Sequence, residues 1–328
     1  MGRQIKFKVG IIGCGLIGFK RSKFLGPQSE LIACADTNIN NLNKISTRKN
    51  IKKFINWKEL LKVKEIDIVI IATPHNHLAK IVIAAYKHKK HILVEKPGAK
   101  NLKEIKKMIS VAKNKKIKIR VGYNHRYHPS ILKAKNLVNS GSLGDLLYIR
   151  ARYGHGGRLG YEKEWRAKKL LAGGGELLDQ GSHLIDLSRI FLGNFIKING
   201  VTKTYFWNMS VDDNAFLTLE TSNNKIAFLH ASWTEWKNKF SFEIFGKKGK
   251  LNISGKGGSY GSEKLTFYKM SKKMLKPNEK KWIFRSKDVS WKNEINELYK
   301  DIKYNRTPSC NLNDAYQTLK IINKVYKK

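Results

Sequence analysis

Apolar residues follow two rhythms along this chain. Up to Tyr123, short apolar runs alternate with amphipathic stretches of helical period. The runs Lys6 to Ile12, Leu31 to Ala35, Asp67 to Ala72, His91 to Val94 and Lys118 to Tyr123 predict strands. Strands alternating with helices predict a parallel, doubly wound α/β sheet. From Gly144 the rhythm changes to apolar–polar alternation, at 144–152, 196–207, 213–220, 225–233, 240–246 and 249–254. Period two predicts a sheet with one face on a core, hence an α+β second domain. Residues 255–280, rich in Gly, Ser and Lys, predict loops or an irregular hairpin. Amphipathic helices close the chain near Trp291 to Tyr304 and Asn313 to Tyr326. A length of 328 residues suits two domains.

The first strand ends in Gly13-Cys14-Gly15-Leu16-Ile17-Gly18, which opens a helix. That is the dinucleotide-binding context: Gly13 for the tight turn, Gly15 for approach of a pyrophosphate, Gly18 for close helix–strand packing. The helix N-terminus adds N–H donors and a positive dipole. The next strand ends in Asp36, placed to hydrogen-bond the adenosine ribose and to repel a 2′-phosphate. No Arg follows it, so NAD is favoured over NADP. Asp36 also suits a cap for the helix near Ile39. Thr73-Pro74-His75-Asn76-His77 occupies a loop beyond a central strand, the side on which such sheets bind ligands. Two His without a Cys or carboxylate companion make a poor metal site, and no metal is expected. Glu95-Lys96-Pro97 follows the fourth run and Asn124-His125-Arg126-Tyr127-His128-Pro129 the fifth.

In the middle of the chain three glycines, Gly173 to Gly175, precede an apolar-periodic helix. Asp179 and His183, four apart, share one face of such a helix, with Asp186 close to the same stripe. A carboxylate-backed imidazole suits proton transfer near neutral pH. Alone, the same pattern equally describes acidic residues near a helix N-terminus beside a satisfied core His.

Taken together, the glycine loop, Glu95-Lys96-Pro97 and Asp179-Gln180-Gly181-Ser182-His183-Leu184-Ile185-Asp186 resemble the glucose–fructose oxidoreductase, inositol dehydrogenase and MocA family of NAD(P)-dependent oxidoreductases. The resemblance implies a Rossmann domain over 1–123 and a substrate domain over 124–310. It also implies a last helix, 311–328, that returns to the first domain. It implies a large, open, mostly antiparallel second sheet that pairs with a partner subunit in a homodimer or homotetramer. Trp207, Phe216, Phe228, Trp233, Trp236 and Phe242 are candidates for that interface or for the core.

The implied reaction is hydride transfer between nicotinamide and a secondary hydroxyl of a sugar, nucleotide sugar or cyclitol. His183 would take the hydroxyl proton, Asp179 would orient the imidazole, and Lys96 would hydrogen-bond the same oxygen. Thr73, Pro74, His77, Glu95, Trp165 and Arg166 join the glycine loop and Asp36 around the cofactor. Tyr123, Asn124, Arg126 and Arg166 are expected toward the substrate, with His128 behind them. The segment Gly156 to Arg166 resembles enzymes of surface-polysaccharide and nucleotide-sugar metabolism. Its Arg158, Lys163 and Arg166 are cations for an acidic substrate or a solvated basic surface. Two alternatives share the fold: an NAD-dependent glycosidase and a non-catalytic dinucleotide-sensing regulator.

Composition adds one further feature. There are 65 Lys and Arg against 25 Asp and Glu, a formal charge of +40. The lysines are scattered, and clusters such as Lys113 to Lys118 carry no interleaved aromatic platform, which argues against nucleic acid. No apolar run reaches transmembrane length and the N-terminus leads straight into a strand, so neither a membrane span nor a leader is expected. Cys14, Cys34 and Cys310 are too few and too spread for a disulfide framework, and a cytoplasmic location fits.

Overall fold

The computed structural model describes residues 6–45, 50–271, 273, 275–285 and 288–327. Residues 1–5, on which the expectation about a leader rests, lie outside them. The chain divides into two compact units, one made of residues 1–123 and 291–316, the other of 124–290 and 317–328.

The first unit is built on six parallel strands: β1 (Phe7–Ile12), β2 (Ser29–Ala35), β3 (Lys52–Phe54), β4 (Ile68–Ile71), β5 (His91–Glu95) and β6 (Ile119–Gly122). Their spatial order is β3-β2-β1-β4-β5-β6. Strand order therefore reverses between β1 and β4, the point at which doubly wound sheets open a crevice for ligands. β4, Ile-Val-Ile-Ile, is buried at every position, as a strand covered on both faces must be. The helices between strands are α1 (Leu16–Lys23), α2 (Ile39–Ile45), α3 (Trp57–Leu61), α4 (His75–Lys87) and α5 (Leu102–Val111). β3 escapes the sequence pattern because Lys52-Lys53-Phe54 is a short, mostly exposed edge. His75 and His77 prove to lie in the first turn of α4, capped by Pro74, so the loop expected over 73–77 is only Ala72 to Pro74.

Buried ion pairs tie the later residues 291–316 to this sheet. The Arg21 guanidinium on α1 meets Glu95 at 2.7 Å and Glu294 at 2.5 Å, all three side chains at most 10% exposed. Arg120 on β6 pairs with Asp301. Losing one member of such a buried pair leaves an uncompensated charge, at a cost of about 3–5 kcal/mol.

The second unit carries eight strands: β7 (Leu146–Gly154), β8 (Phe195–Lys203), β9 (Asn214–Thr221), β10 (Ile226–Ser232), β11 (Lys239–Gly246), β12 (Gly249–Ser254), β13 (Glu263–Lys269) and β14 (Asn278–Phe284). They lie in the order β14-β13-β12-β11-β7-β10-β9-β8, antiparallel except for the β7–β10 pair. Alternation is clean: Ala215, Leu217, Leu219, Ala227, Leu229, Phe242 and Ile244 point inward with 1% exposure or less. The inward face packs against α6 (Pro129–Asn139) at β12 to β14 and against α8 (Ser182–Leu192) at β7 and β10. A short α7 (Lys169–Ala172) precedes the glycine triplet. α9 (Ser290–Lys303) and α10 (Leu312–Tyr326) end the chain.

Of the loops or irregular hairpin expected over 255–280, the structure has the hairpin, with β13 and β14 in regular antiparallel register. Leu265 and Thr266 on β13 are buried, while the exposed lysines of β14 mask its register in the sequence. Among the interface candidates, Trp233 and Phe242 have 0% exposure and are core residues, whereas Phe228 and Trp236 are exposed.

Candidate active site

The dinucleotide end is built by the loops beyond β1, β2 and β4. Gly13 adopts φ +89° with its missing side chain against the Ala72 backbone, and a Cβ at Gly18 would overlap the Gly13 carbonyl oxygen. Beside Gly15 there is open space instead. The strands, glycine loop and α1 are thus packed as closely as a dinucleotide cradle requires, with the approach over Gly15 left clear. Leu16 and Ile17 begin α1, whose first N–H groups have no partner inside the helix, and Leu16 itself is exposed. Asp36 accepts the Cys14 N–H at 2.6 Å and the Asn38 N–H at 2.8 Å, so its carboxylate is fixed at the rim of the loop. Four lone-pair sites on a carboxylate leave capacity for ribose hydroxyls.

Thr73 and Pro74 stand between β4 and α4, and burial together with Lys80 lowers the His77 pKa. Glu95 is turned inward onto Arg21, away from a direct ligand role, while half-buried Lys96 follows it and the Lys96–Pro97 peptide bond is cis. Tyr123 is fully buried.

The second unit holds the proton-transfer candidates. The stretch expected to be one α-helix is a π-turn over Leu177–Gly181 that feeds α8. Its start is packed against Asp212: a Cβ at Gly175 would overlap the Asp212 backbone, and the Asp212 carboxylate accepts N–H groups of Gly175 (3.0 Å) and Leu177 (2.8 Å). The Tyr326 hydroxyl, from α10, donates to the same carboxylate at 2.7 Å. Burial is the main cause of a raised Asp212 pKa, opposed by these donors.

From this anchored turn Asp179 accepts Arg166 Nε at 3.2 Å, and Arg166 lies over the Trp165 ring at 4.5 Å. His183, 4% exposed, stacks on His125 with ring centroids 3.9 Å apart and planes 17° apart. Asp186 is held by Arg126 through Nε at 2.7 Å and a second nitrogen at 2.5 Å. Asn124 donates to Ser290 Oγ at 2.8 Å, and His128 Nδ1 lies 3.1 Å from Glu263. Arg158 pairs with Glu164 at 2.6 Å on an exposed segment, and Lys163 is exposed.

The structure thus brings Asp179, Arg166 and Trp165 together, and sets Arg126 on Asp186. Sequence reasoning missed His125, Tyr153, Tyr260, Lys256 and His155, which enclose or adjoin His183 and Asp179. Tyr153 and Tyr260 have centroids 5.5 Å apart, and burial raises the Tyr260 pKa to about 12. One signal was available: Lys256 stands between glycines in Gly255-Lys256-Gly257-Gly258, a flexible mount for a cation. Among the described residues no cluster of His, Cys, Asp and Glu suits a metal ion, and no helix is long and apolar enough to cross a membrane.

A glycine cradle at the switch point of a 3-2-1-4-5-6 sheet, joined in one chain to a buried His and Asp on a second sheet domain, defines a dinucleotide-dependent oxidoreductase. Residues 7–123 match the family described as "Oxidoreductase family, NAD-binding Rossmann fold", and residues 131–252 match the "GFO/IDH/MocA C-terminal domain". The chain belongs to the GFO/IDH/MocA family and is an NAD-binding oxidoreductase. It is 29% identical to levoglucosan dehydrogenase of Pseudarthrobacter phenanthrenivorans over 60% of this chain and 57% of that protein. To myo-inositol 2-dehydrogenase of Thermotoga maritima it is 27% identical over 58% of this chain and 56% of that protein. Those alignments span little more than half of each relative. A solved structure of levoglucosan dehydrogenase in complex with NADH shares the fold, with TM-score 0.87, 23% identity and coverage of 98% of this chain and 97% of that one.

Proposed function

We propose that the protein is an NAD-dependent dehydrogenase that oxidises a secondary hydroxyl of a sugar, nucleotide sugar or cyclitol, or reduces the matching ketone. The observation that carries the reading is His183: a buried imidazole in the first turn of α8, four residues after Asp179 and fed by the π-turn whose start is pinned by Asp212. The names of the two relatives, one acting on levoglucosan and one on myo-inositol, support the substrate class.

NAD, when bound, supplies the hydride acceptor. Gly13, Gly15 and Gly18 let its phosphates approach the backbone, and Asp36 serves the adenosine ribose. This favours NAD over NADP, whose 2′-phosphate an anionic Asp36 repels. Thr73, Pro74, His77, Trp165 and Arg166 complete the cofactor surroundings. His183 takes the hydroxyl proton as the carbinol carbon becomes trigonal, and returns it in the reverse direction. Asp179, aimed by Arg166, orients the imidazole and stabilises its protonated form. Lys96 donates a hydrogen bond to the same oxygen, stabilising negative charge as it develops. Arg126 acts through Asp186, and Tyr123 and Asn124 shape the walls of the substrate site.

Nicotinamide fluorescence with NAD and a panel of free sugars, inositols and UDP-linked amino sugars tests the reading. NADH formation with one substrate, lost in His183→Ala and Lys96→Met while NAD still binds, is the expected result. Undiminished turnover in His183→Ala refutes the base assignment. Silence across the panel with intact NAD binding argues against a simple dehydrogenase.

A further inference from the structure

His183 does not stand alone in its unit. The ring stacked on it, His125, is 3% exposed and sits on the 3-10 turn Asn124–Tyr127 that follows β6. The Lys256 ammonium lies 3.4 Å from His125 Nε2 and over the faces of Tyr153 (4.7 Å) and Tyr260 (4.3 Å). An ammonium has only hydrogens to offer, so the nitrogen facing it must present its lone pair. That fixes the proton of His125 on Nδ1 and keeps the ring neutral, because a second proton would have to enter against Lys256. We propose that Lys256 and His125 are positioning residues for His183: the lysine holds His125 as the neutral Nδ1–H tautomer, and this neutral ring is the platform on which His183 gains and loses its proton. The inference rests on the reading of His183 as the base.

The electrostatic surroundings explain why a cation is needed there. Two stacked imidazoles 3.9 Å apart cannot both be protonated cheaply, so whichever ring is protonated first suppresses the other. Asp179 and Glu176, from the segment that carries His183, act on Tyr153, which packs against both rings. Their negative charge favours a proton somewhere on the stack. His128, on the turn that carries His125, meets the His125 ring edge-on at 5.5 Å and faces Glu263 at 3.1 Å and Asp288 at 3.9 Å. Asp179 favours the proton on His183, and Lys256 adds the opposing charge at His125. With it, only His183 can take the proton drawn from a substrate hydroxyl. The imidazolium so formed lies against a neutral aromatic face, a favourable arrangement for a cation.

Long-range ¹H–¹⁵N correlation spectra of the histidine side chains test this without requiring turnover. In the wild-type protein His125 is expected as the neutral Nδ1–H tautomer throughout the range in which a free histidine takes up its proton, around pH 6.5. In Lys256→Met it is expected to titrate within that range, and Lys256→Arg to restore the wild-type state. In parallel, the acidic limb of kcat for alcohol oxidation is expected to move up by about one pH unit in Lys256→Met, since the stack then takes its first proton more readily. His125→Phe, an uncharged ring, keeps the limb in place, whereas His125→Ala loses the stacking surface and lowers kcat. An Nε2–H tautomer in the wild type, or a tautomer and limb unmoved by Lys256→Met, overturns the proposal. A fully active His183→Ala with the expected His125 spectra would overturn the base assignment instead, so the two failures are separable.

Discussion

At His155 a single ring shows how burial sets a proton's energy. Its Nδ1 accepts the Gly157 N–H at 2.9 Å, and the ring packs near Tyr161 and Trp233. Burial is the main cause that brings its pKa down to about 4; nearby Asp179 opposes this, while Arg158, Arg166 and Lys256 add to it. The unfolded chain takes the proton near pH 6.5 and the folded one only near 4, so the folded state binds fewer protons between them. Stability from this group is therefore full above about 6.5 and is lost as pH falls toward 4. Thermal unfolding followed across that window is expected to show His155→Asn with a shallower acid slope than wild type; parallel curves would contradict it. Asp36 presents its carboxylate at the rim of the glycine loop. Losing its carboxylate removes a repulsive charge and an acceptor, so Asp36→Ala is expected to weaken NAD about tenfold, the loss of roughly 1.4 kcal/mol. It is also expected to raise NADP affinity relative to NAD. An unchanged NAD-to-NADP ratio in fluorescence titrations would remove Asp36 from the ribose role.

The element that matters most is the π-turn into α8, and its supports lie far away in sequence. Asp212 and Tyr326 meet across 114 residues, so no local pattern announces them, whereas Asp179 and His183 stand four apart and are visible at once. The same contrast runs through the fold. Strands with consecutive apolar residues, such as β4, or with strict alternation, such as β9, declare themselves; β3 and β14, made largely of lysine and other exposed residues, do not. The sequence does not single out His125 between Asn124 and Arg126 because stacking is a tertiary fact, nor Lys256 because one lysine carries little information in a lysine-rich chain. The anchoring network predicts a specific defect. Tyr326→Phe deletes one of the donors to Asp212 and is expected to cost about 1–2 kcal/mol of stability. Loosening of the turn that carries Asp179 and leads into His183 should lower kcat several-fold, with NAD affinity unchanged. Equal losses in kcat and NAD binding would point to general unfolding instead of a displaced turn.

Across the whole molecule, a formal charge of +40 on 328 residues is the largest physical peculiarity. Many of its acids are already engaged by basic partners, as Glu243 is by Arg150 and Lys250, so the excess cations act as a long-range field more than as contacts. Such a field raises the encounter rate of anionic ligands and is screened over about 10 Å at 0.1 M salt. It also destabilises the compact state by self-repulsion, so the unfolding temperature is expected to rise as salt is added. The consequence for function separates the substrate classes still open. With NAD held saturating, kcat/KM for a diphosphate-linked sugar is expected to fall several-fold as ionic strength rises from about 0.02 to 0.3 M, since the Debye length shrinks severalfold. For a neutral sugar or inositol the same change should leave kcat/KM nearly flat. A steep fall for the better substrate would mean that the charge serves capture of an anion and would favour the nucleotide-sugar reading. A flat response with a neutral substrate would leave +40 as a property of composition that the catalytic cycle does not use, and would move the assignment to free sugars or cyclitols.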